Sequence, residues 1–309
     1  MGLDLKSAQL VVHCARLGSI GKAAEALNIT QPAAARLLLR LEQRLGVTLF
    51  ERSAKGVAPT HYGKALVPHA ALLASEAALA DEVVEQMKGS ARGLVRVAAA
   101  TSVADGPLRE AILLLSDRLP DVQFQIQDGI EDVLIDALKE GRVDLAISTE
   151  PYDDDQIALA CPEAFFDEVR VVARPQNTVH GLPFLTMEEA ARRPWATPPE
   201  DTPVAREWRR RFRAAGLDPP EPRLTCRSIR VIKNMALDSD TLCWMPLRTI
   251  RLEMQHGLLI KVETPQMKWR RTFRIYRRAR GALSPTASQL LRAMQEIARR
   301  ETLTLGGPA

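Results

Sequence analysis

The sequence predicts an α/β protein with a helix-rich module at its amino terminus. Its 309 residues exceed the usual size of one domain and favour about two domains. Hydrophobic residues make up 46% of the chain and charged residues 26%, which excludes a disordered or fibrous protein. Apolar residues recur at helical spacing over the first part of the chain, whereas strand-like apolar runs alternate with helical segments from Leu94 onward. The second pattern is typical of an α/β domain with a mainly parallel sheet.

Several classes of protein are excluded before any motif is considered. The longest apolar runs fall short of the roughly 20 residues of a membrane span, and one of them is broken by Pro68 and His69. Asp4 and Lys6 open the chain without the apolar segment of a secretory signal. The cysteines are far apart and form no CxxC pair; they are Cys14, Cys161, Cys226 and Cys243. We therefore expect a cytoplasmic protein with reduced thiols, no membrane contact, no metal and no cofactor.

Positive charge is concentrated at the amino terminus. Residues 1 to 64 carry nine Lys or Arg against four Asp or Glu, a net charge of +5, whereas residues 65 to 88 carry a net charge of −3. The whole chain has a net charge of only +4. A small basic module on a nearly neutral chain is typical of a protein that binds a polyanion, although a charged run is more often a solvated surface.

Three helices separated by tight turns are predicted in the basic module. Gly18 ends the first helix at a position that favours a left-handed residue, and Ser19 caps the second helix. Asn28 follows the second helix, where the turn needs a residue that tolerates the left-handed conformation. Thr30 caps the third helix, with Pro32 in its first turn. Two helices that meet at a short turn predict a helix-turn-helix.

The third helix, which ends at Gly46, buries one stripe and presents the opposite face to solvent. A helix of this shape fits the major groove, where Gln31 can pair with adenine and Arg36 can read guanine while Arg40 holds a phosphate. Ala33 and Ala35 offer only methyl contacts to thymine. A packed three-helix bundle that binds no DNA is the alternative interpretation.

A short hairpin is predicted after the third helix and makes the module a winged variant. Its strands are residues 47–51 and 57–59, and its tip places Arg52 and Lys55 against the DNA backbone. The full set of predicted DNA-contacting residues is Ser19, Thr30, Gln31, Pro32, Ala33, Ala35, Arg36, Arg40, Arg52 and Lys55.

The segment from Ala23 to Thr60 carries a long and specific motif. It reads AAEALNITQPAAARLLLRLEQRLGVTLFER followed by KGVAPT, and it resembles the DNA-binding head of LysR-type transcriptional regulators. The resemblance implies a sequence-specific regulator of transcription that binds double-stranded DNA and responds to a small-molecule effector. The family usually has a serine at the position of Ala35, so the operator preference cannot be carried over.

A long helix is predicted from about Thr60 to Met87. Its apolar residues step by three and four and form a heptad seam of Leu66, Ala70, Leu73, Ala77, Ala80, Val84 and Met87. The resemblance implies an antiparallel dimer of such linker helices, and therefore a homodimer or homotetramer. An amphipathic helix that covers its own domain is the alternative. Residues 88 to 93 form a polar hinge after the helix.

The remainder of the chain is predicted to be a two-lobed effector domain. Predicted strands are 94–99, 122–126, 144–147, 168–173, 223–225, 241–245 and 272–277, and predicted helices are 107–118, 131–140, 204–215, 228–237 and 284–300. The resemblance implies a pair of Rossmann-like lobes similar to periplasmic binding proteins. The predicted division is 1–60 for the winged helix-turn-helix, 61–88 for the linker and 89–309 for the effector domain, with lobe I at 89–161 and 268–309 and lobe II at 162–267.

Ligands of open α/β sheets bind at the carboxyl ends of the strands, beside helix amino termini. The residues at these places that we predict to bind an effector are Thr101, Ser102, Ile130, Thr149, Thr202, Arg227 and Ser228. Each hydroxyl can equally be a helix cap. Acidic residues near the same loops would repel a carboxylate, so a carbohydrate or neutral polar effector stays open beside an aromatic acid; they are Asp105, Asp128, Glu131 and Asp201.

The sequence predicts no enzyme. None of the histidines has a neighbour at metal-binding spacing; they are His13, His61, His69, His180 and His256. No GxSxG, GxGxxG or P-loop is present, so an enzyme would rest on fold analogy alone. An architectural DNA-binding protein without effector control, a ligand-binding α/β enzyme and a solute-binding protein are the rival interpretations. RNA polymerase is a candidate partner of the regulator.

Overall fold

A computed structural model describes residues 2–53, 56–88, 93–129, 131–149, 154–179, 181 and 183–304. Lys55 and Ile130, both predicted above as contact residues, lie outside these ranges, and nothing is described of the side chain of Met87. None of the described helices is long and apolar enough to cross a membrane.

The amino-terminal head is the predicted helix-turn-helix with a hairpin. Its elements are α1 (Leu5–Leu17), α2 (Ile20–Ala26), α3 (Gln31–Leu45), β1 (Phe50–Ser53) and β2 (Gly56–Pro59), with the two strands antiparallel. Gly18 and Asn28 adopt positive φ angles of 62° and 53°, and the Ser19 hydroxyl accepts the Lys22 amide at 3.3 Å. The local turn and cap predictions are therefore confirmed. Leu10, Leu38 and other apolar side chains of the three helices form one core.

Helix α4 (His61–Met87) begins on the head. The Thr60 hydroxyl accepts the Gly63 amide at 3.1 Å, which is the predicted cap. A Cβ at Gly63 would lie 2.1 Å from the Leu49 carbonyl oxygen, so only glycine lets the helix start this close to the hairpin. Val67 and Ala70 belong to the core of the head.

The predicted heptad seam is wrong for Ala70. Its side chain is 0% exposed within its own chain, so it cannot also face a second linker helix. Leu66 is partly buried against the same core. The heptad spacing arose because the first turns of α4 pack on α1, which produces the same three-and-four pattern as a dimer seam.

The effector domain contains one mixed sheet. Its strands are β3 (Gly93–Ala100), β4 (Val122–Gly129), β5 (Leu145–Thr149), β6 (Ile157–Ala173), β7 (Trp195–Thr197), β8 (Leu224–Thr225), β9 (Leu242–Pro246), β10 (Ile260–Val262) and β11 (Trp269–Arg278). Their order is β4-β3-β5-β11-β6-β9-β7-β8, and β10 also pairs with β6. The outer pairs are parallel, whereas β6 and β11 run antiparallel to each other and to β9 and β5, respectively. The expectation of a mainly parallel sheet is thus incomplete.

Helices pack on the part of the sheet that lies in each lobe. They are α5 (Thr101–Val103), a π-helix (Ala104–Leu108), α6 (Arg109–Ser116), α7 (Glu131–Lys139), α8 (Met187–Ala191), α9 (Pro203–Ala214), α10 (Ile229–Asp238), α11 (Arg251–Gln255) and α12 (Pro285–Thr304), with 3₁₀ turns at Leu247–Ile250 and Pro265–Met267. Leu290, Met294 and Ile297 of α12 pack into the core of the first lobe. The last helix therefore returns to the lobe that the chain builds first, as expected from the sequence order.

Two long strands join the lobes. β6 and β11 are paired along their length, from Val169 opposite Trp269 to Ile157 opposite Arg278, with a register shift between Arg274 and Tyr276. The sequence analysis expected only 168–173 of β6, because Pro162 interrupts the apolar run. The first half of this strand lies in lobe I and the second half in lobe II, and β11 contributes Arg271 to the lining of the cleft between the lobes.

Candidate functional site

The outer face of α3 carries arginines that form no ion pair with described residues of the head. Arg36 and Arg40 are exposed and form no ion pair among the described residues, and the same holds for Arg52 on β1. Arg44, by contrast, lies 3.4 Å from Asp4. Uncommitted guanidinium groups along one helix and the adjoining hairpin can neutralise phosphates or read guanine.

The amino termini of α2 and α3 complete this surface. The Thr30 hydroxyl oxygen accepts the Ala33 amide at 3.4 Å, and Ser19 caps α2 in the same way, so both hydroxyl groups can still donate a proton to a phosphate. Gln31 and Pro32 are exposed, and Ala33 is half-buried. Ala35 is half-buried and packs partly against the core of the head, which leaves it less available for DNA than predicted.

Sequence reasoning missed one cation of this surface. Lys22 is exposed in the first turn of α2, where its charge lies at the positive end of the helix dipole. A cation at this end of the dipole is unfavourable for the isolated helix.

The second candidate site is a cleft of about 440 Å³ between the lobes. Five of the predicted effector residues line it, namely Thr101, Ser102, Thr202, Arg227 and Ser228. Thr149 does not line the cleft, since it pairs with Phe273 at the end of β5. Lining residues that the prediction omitted include Gly129, Arg230, Trp244, Thr249 and Arg271. The volume is in the range of small-molecule pockets.

Arg271, one of the residues that line the cleft, belongs to a buried ion pair. Arg271 on β11 donates to Asp167 on β6 from Nε at 2.8 Å and from Nη2 at 2.5 Å, and the side chains are only 6% and 1% exposed. The Ser102 hydroxyl donates to the same carboxylate at 2.5 Å. The proton of Ser102 is therefore committed to Asp167, and this hydroxyl can offer a ligand only its lone pairs.

Two other predicted hydroxyl groups differ in their availability. Thr202 caps α9, where its oxygen accepts the Ala205 amide at 3.2 Å and its proton goes to the Pro199 carbonyl at 2.8 Å. Ser228 caps α10 but stays exposed, and its one hydrogen bond among the described residues is accepted from the Val231 amide at 3.4 Å. The cap alternative thus describes Thr202 better, whereas Ser228 keeps a proton for a ligand.

The charges at the mouth of the cleft are divided between the lobes. On lobe I, Asp128 accepts the Thr101 hydroxyl at 3.3 Å. On lobe II, Arg227 pairs with Asp201, whereas Arg230 has no ion-pair partner in the described part of the chain. An uncommitted cation in the first turn of α10 therefore faces the cleft whose other wall carries a carboxylate.

Neither metal binding nor thiol chemistry is indicated within the ranges that the structure describes. No group of three or more His, Cys, Asp or Glu side chains there could hold a metal ion. Burial raises the pKa of Cys14 and Cys161 to about 11 and that of Cys243 to about 12, which makes these thiols poor nucleophiles.

Comparison with known proteins identifies the two parts of the chain. The family model of the bacterial regulatory helix-turn-helix protein, lysR family, matches residues 5–64, and the LysR substrate binding domain matches residues 88–299. The regulator GbpR of Azospirillum brasilense is 29% identical over 241 residues, which cover 77% of this chain and 70% of that protein. The RuBisCO operon transcriptional regulator of Allochromatium vinosum is 25% identical over 308 residues, 99% and 100% of the two chains.

Solved structures share the fold. A full-length OxyR variant from Pseudomonas aeruginosa superposes with a TM-score of 0.74 at 18% identity, covering 97% of this chain and 95% of that one. ArgP from Mycobacterium tuberculosis gives a TM-score of 0.72 at 19% identity, with 94% and 96% coverage. Because the two family models together account for the head and the two-lobed domain, this chain belongs to the LysR family of DNA-binding transcriptional regulators that carry an effector-binding domain.

Proposed function

We propose that a small polar effector binds between Asp128 and Arg230 and alters how a dimer of this regulator holds its DNA. The division of charge across the cleft carries the proposal. Asp128 and Thr101 suit a ligand that donates hydrogen bonds, whereas Arg230 and the exposed Ser228 suit an anionic or carbonyl oxygen. A hydroxylated carboxylic acid satisfies both walls at once, and a neutral sugar satisfies only the first.

Thermal shift of the full chain against hydroxylated carboxylic acids and neutral sugars tests this effector class. We expect a hydroxy acid to raise the melting temperature of the wild type, since a ligand that binds only the folded state stabilises it. Arg230→Gln should lose the response to acids, and Asp128→Asn should lose discrimination for hydroxyl groups. Arg118→Gln, an exposed arginine outside the cleft, is the matched control and should respond as the wild type. Equal responses in Arg230→Gln and the control would contradict the proposal.

For DNA, we propose that Arg36 reads bases and that Arg40 holds a phosphate, with Arg52 and Lys55 of the hairpin also against the backbone. Arg36→Ala should weaken binding to the best operator fragment by about 1 to 3 kcal/mol and reduce the preference for particular bases. Arg40→Ala should weaken binding to all DNA sequences alike. It should also reduce the slope of log affinity against log salt concentration by about 1. Fluorescence anisotropy on specific and scrambled duplexes at several salt concentrations separates the two, and the reverse pattern would contradict the assignment.

We further propose that the linker helix pairs with a second copy through its distal half. Leu73 and Val84 are 37% and 50% exposed, and Ala77 and Ala80 of the predicted seam are also accessible, unlike Ala70. Residues 1–60, 61–88 and 89–309 would then act as head, linker and effector domain, with effector binding shifting the population of head spacings. Sedimentation velocity of the wild type and Val84→Glu tests the pairing; an unchanged dimer in the variant would contradict it.

A further inference from the structure

A second cavity, separate from the cleft, lies where the head, α4 and lobe I meet. This junction cavity has a volume of about 280 Å³ and is lined by α1, α4, β3 and the segment after α7. Its charged lining residues are His13, Arg16, Arg96, Arg142, Asp144 and Arg278. With His13 neutral, four arginines against one aspartate give a net charge of +3.

The parts of the chain that enclose the junction cavity are in close contact. Arg278 Nη2 donates to the Ser75 hydroxyl of α4 at 2.8 Å, and Glu76 of α4 accepts the Ala282 amide at 3.0 Å. A Cβ at Gly141 would lie 2.7 Å from the Cβ of Ala71. The middle of α4 therefore rests directly on lobe I, beside the cavity.

The cations of the cavity are incompletely neutralised. The terminal nitrogens of Arg278 donate to neutral groups, the Val143 carbonyl at 3.1 Å and the Ser75 hydroxyl, while its buried Nε has no hydrogen-bond partner within the described ranges. The guanidinium of Arg96 has no partner among the residues described, although its backbone amide donates to Asp144 at 2.8 Å. A buried donor without an acceptor has hydrogen-bonding capacity that an additional acceptor can satisfy.

The other charged groups around the junction cavity leave its net charge positive. Arg142 bonds the exposed Glu140 at 2.6 Å and thus retains donors for a second acceptor. Burial lowers the pKa of the Arg278 guanidinium, and Asp144 and Glu76 only partly offset this effect. On the head side, Arg16 Nη2 donates to His13 Nδ1 at 2.8 Å, and burial together with Arg16 lowers the pKa of His13.

We infer that the junction cavity is a binding site for a small multivalent anion of the phosphate class, distinct from the effector cleft. The anion takes hydrogen bonds from Arg96, Arg142 and Arg278 of lobe I and from Arg16 of the head. Because these groups belong to two domains, the bound anion ties the head to lobe I. Anion and DNA affinities are then linked, with each changing the other by the same factor.

Isothermal titration of the full chain with inorganic pyrophosphate tests the site. We expect saturable binding to one site per chain, weakened about tenfold by Arg96→Gln and by Arg142→Gln, which each remove a charge-assisted hydrogen bond. Arg118→Gln is the matched control and should bind as the wild type. Circular dichroism verifies that each variant is folded.

Two further variants locate the anion. Arg230→Gln removes the free cation of the effector cleft, and Arg40→Gln removes a cation of the DNA-binding surface; both should retain pyrophosphate binding. Loss of binding in either of these with no effect of Arg96→Gln would overturn the inference, as would the absence of saturable binding to the wild type. Bound pyrophosphate should also raise the pKa of His13, measured by NMR, in the wild type but not in Arg96→Gln; an unchanged pKa in the wild type also counts against the site.

Discussion

Arg271 and Arg278 lie near opposite ends of β11, and their guanidinium groups have different hydrogen-bond partners. Arg271 has the carboxylate of Asp167 as a full counter-ion, supported by the Ser102 hydroxyl. Arg278 donates to a carbonyl and a hydroxyl, and its Nε has no hydrogen-bond partner in the described part of the chain. A buried cation with a carboxylate partner is neutralised by the fold, whereas one that donates only to neutral groups can still bind an external anion.

The largest effect is expected from breaking the complete pair. Asp167→Ala leaves Arg271 buried without a counter-ion and should lower the free energy of unfolding by about 3 to 5 kcal/mol. Urea unfolding of the full chain measures it. The double variant Asp167→Ala with Arg271→Met removes both charges and should recover much of the loss. A double variant no more stable than Asp167→Ala would contradict this account of the ion pair.

A smaller effect is expected where α4 rests on lobe I, next to Arg278. Gly141 has a φ of +67° and would place a Cβ 2.7 Å from Ala71, whereas Gly216 has a φ of +75° with nothing near it. Both Gly141→Ala and Gly216→Ala should lower the free energy of unfolding by about 1 kcal/mol, because alanine is unfavourable in the left-handed backbone conformation. Gly141→Ala should lose roughly 1 kcal/mol more, because its methyl group must displace α4. Equal losses in urea unfolding would mean that the helix does not rest on the lobe in solution.

The smallest effect on stability is expected from replacing Arg278, whose guanidinium donates to neutral groups. Arg278→Met retains an apolar side chain in the same space and removes a charge that lacks a full counter-ion. The free energy of unfolding should change by about 1 kcal/mol or less, since lost hydrogen bonds are offset by relief of the desolvation cost. Thermal and urea unfolding measure it. A loss as large as that of Asp167→Ala would show that the two ends of β11 are equivalent after all.

Local signals in the sequence predicted the head well, and topology predicted much of the cleft. Gly18, Ser19, Asn28 and Thr30 each act within a few residues, so a single sequence reveals them. The rule that ligands bind at strand ends led to most of the lining hydroxyl groups. Arg230 follows Ser228 closely but was not predicted, because the sequence does not show which face of α10 borders the cleft.

Long-range pairing is what the sequence could not reveal. Asp167 and Arg271 are separated by 104 residues and meet only because β6 and β11 pair in one register. Ala70 illustrates the opposite difficulty, since one helical pattern fits two different partners. The spacing predicts an apolar face but carries no information on whether the same chain or a second copy covers it.

The shared pair of strands β6 and β11 determines what kind of movement can carry a signal. Their pairing extends into both lobes, with a register shift where Arg274 opposite Ala164 is followed by Tyr276 opposite Leu159, so the lobes can twist about this pair but are not two independent bodies. Helix α4 contacts lobe I at Ser75 and begins on the head at His61, so the segment between them is a lever of about 20 Å. A rotation of a few degrees at lobe I would then displace the reading head by about 1 Å.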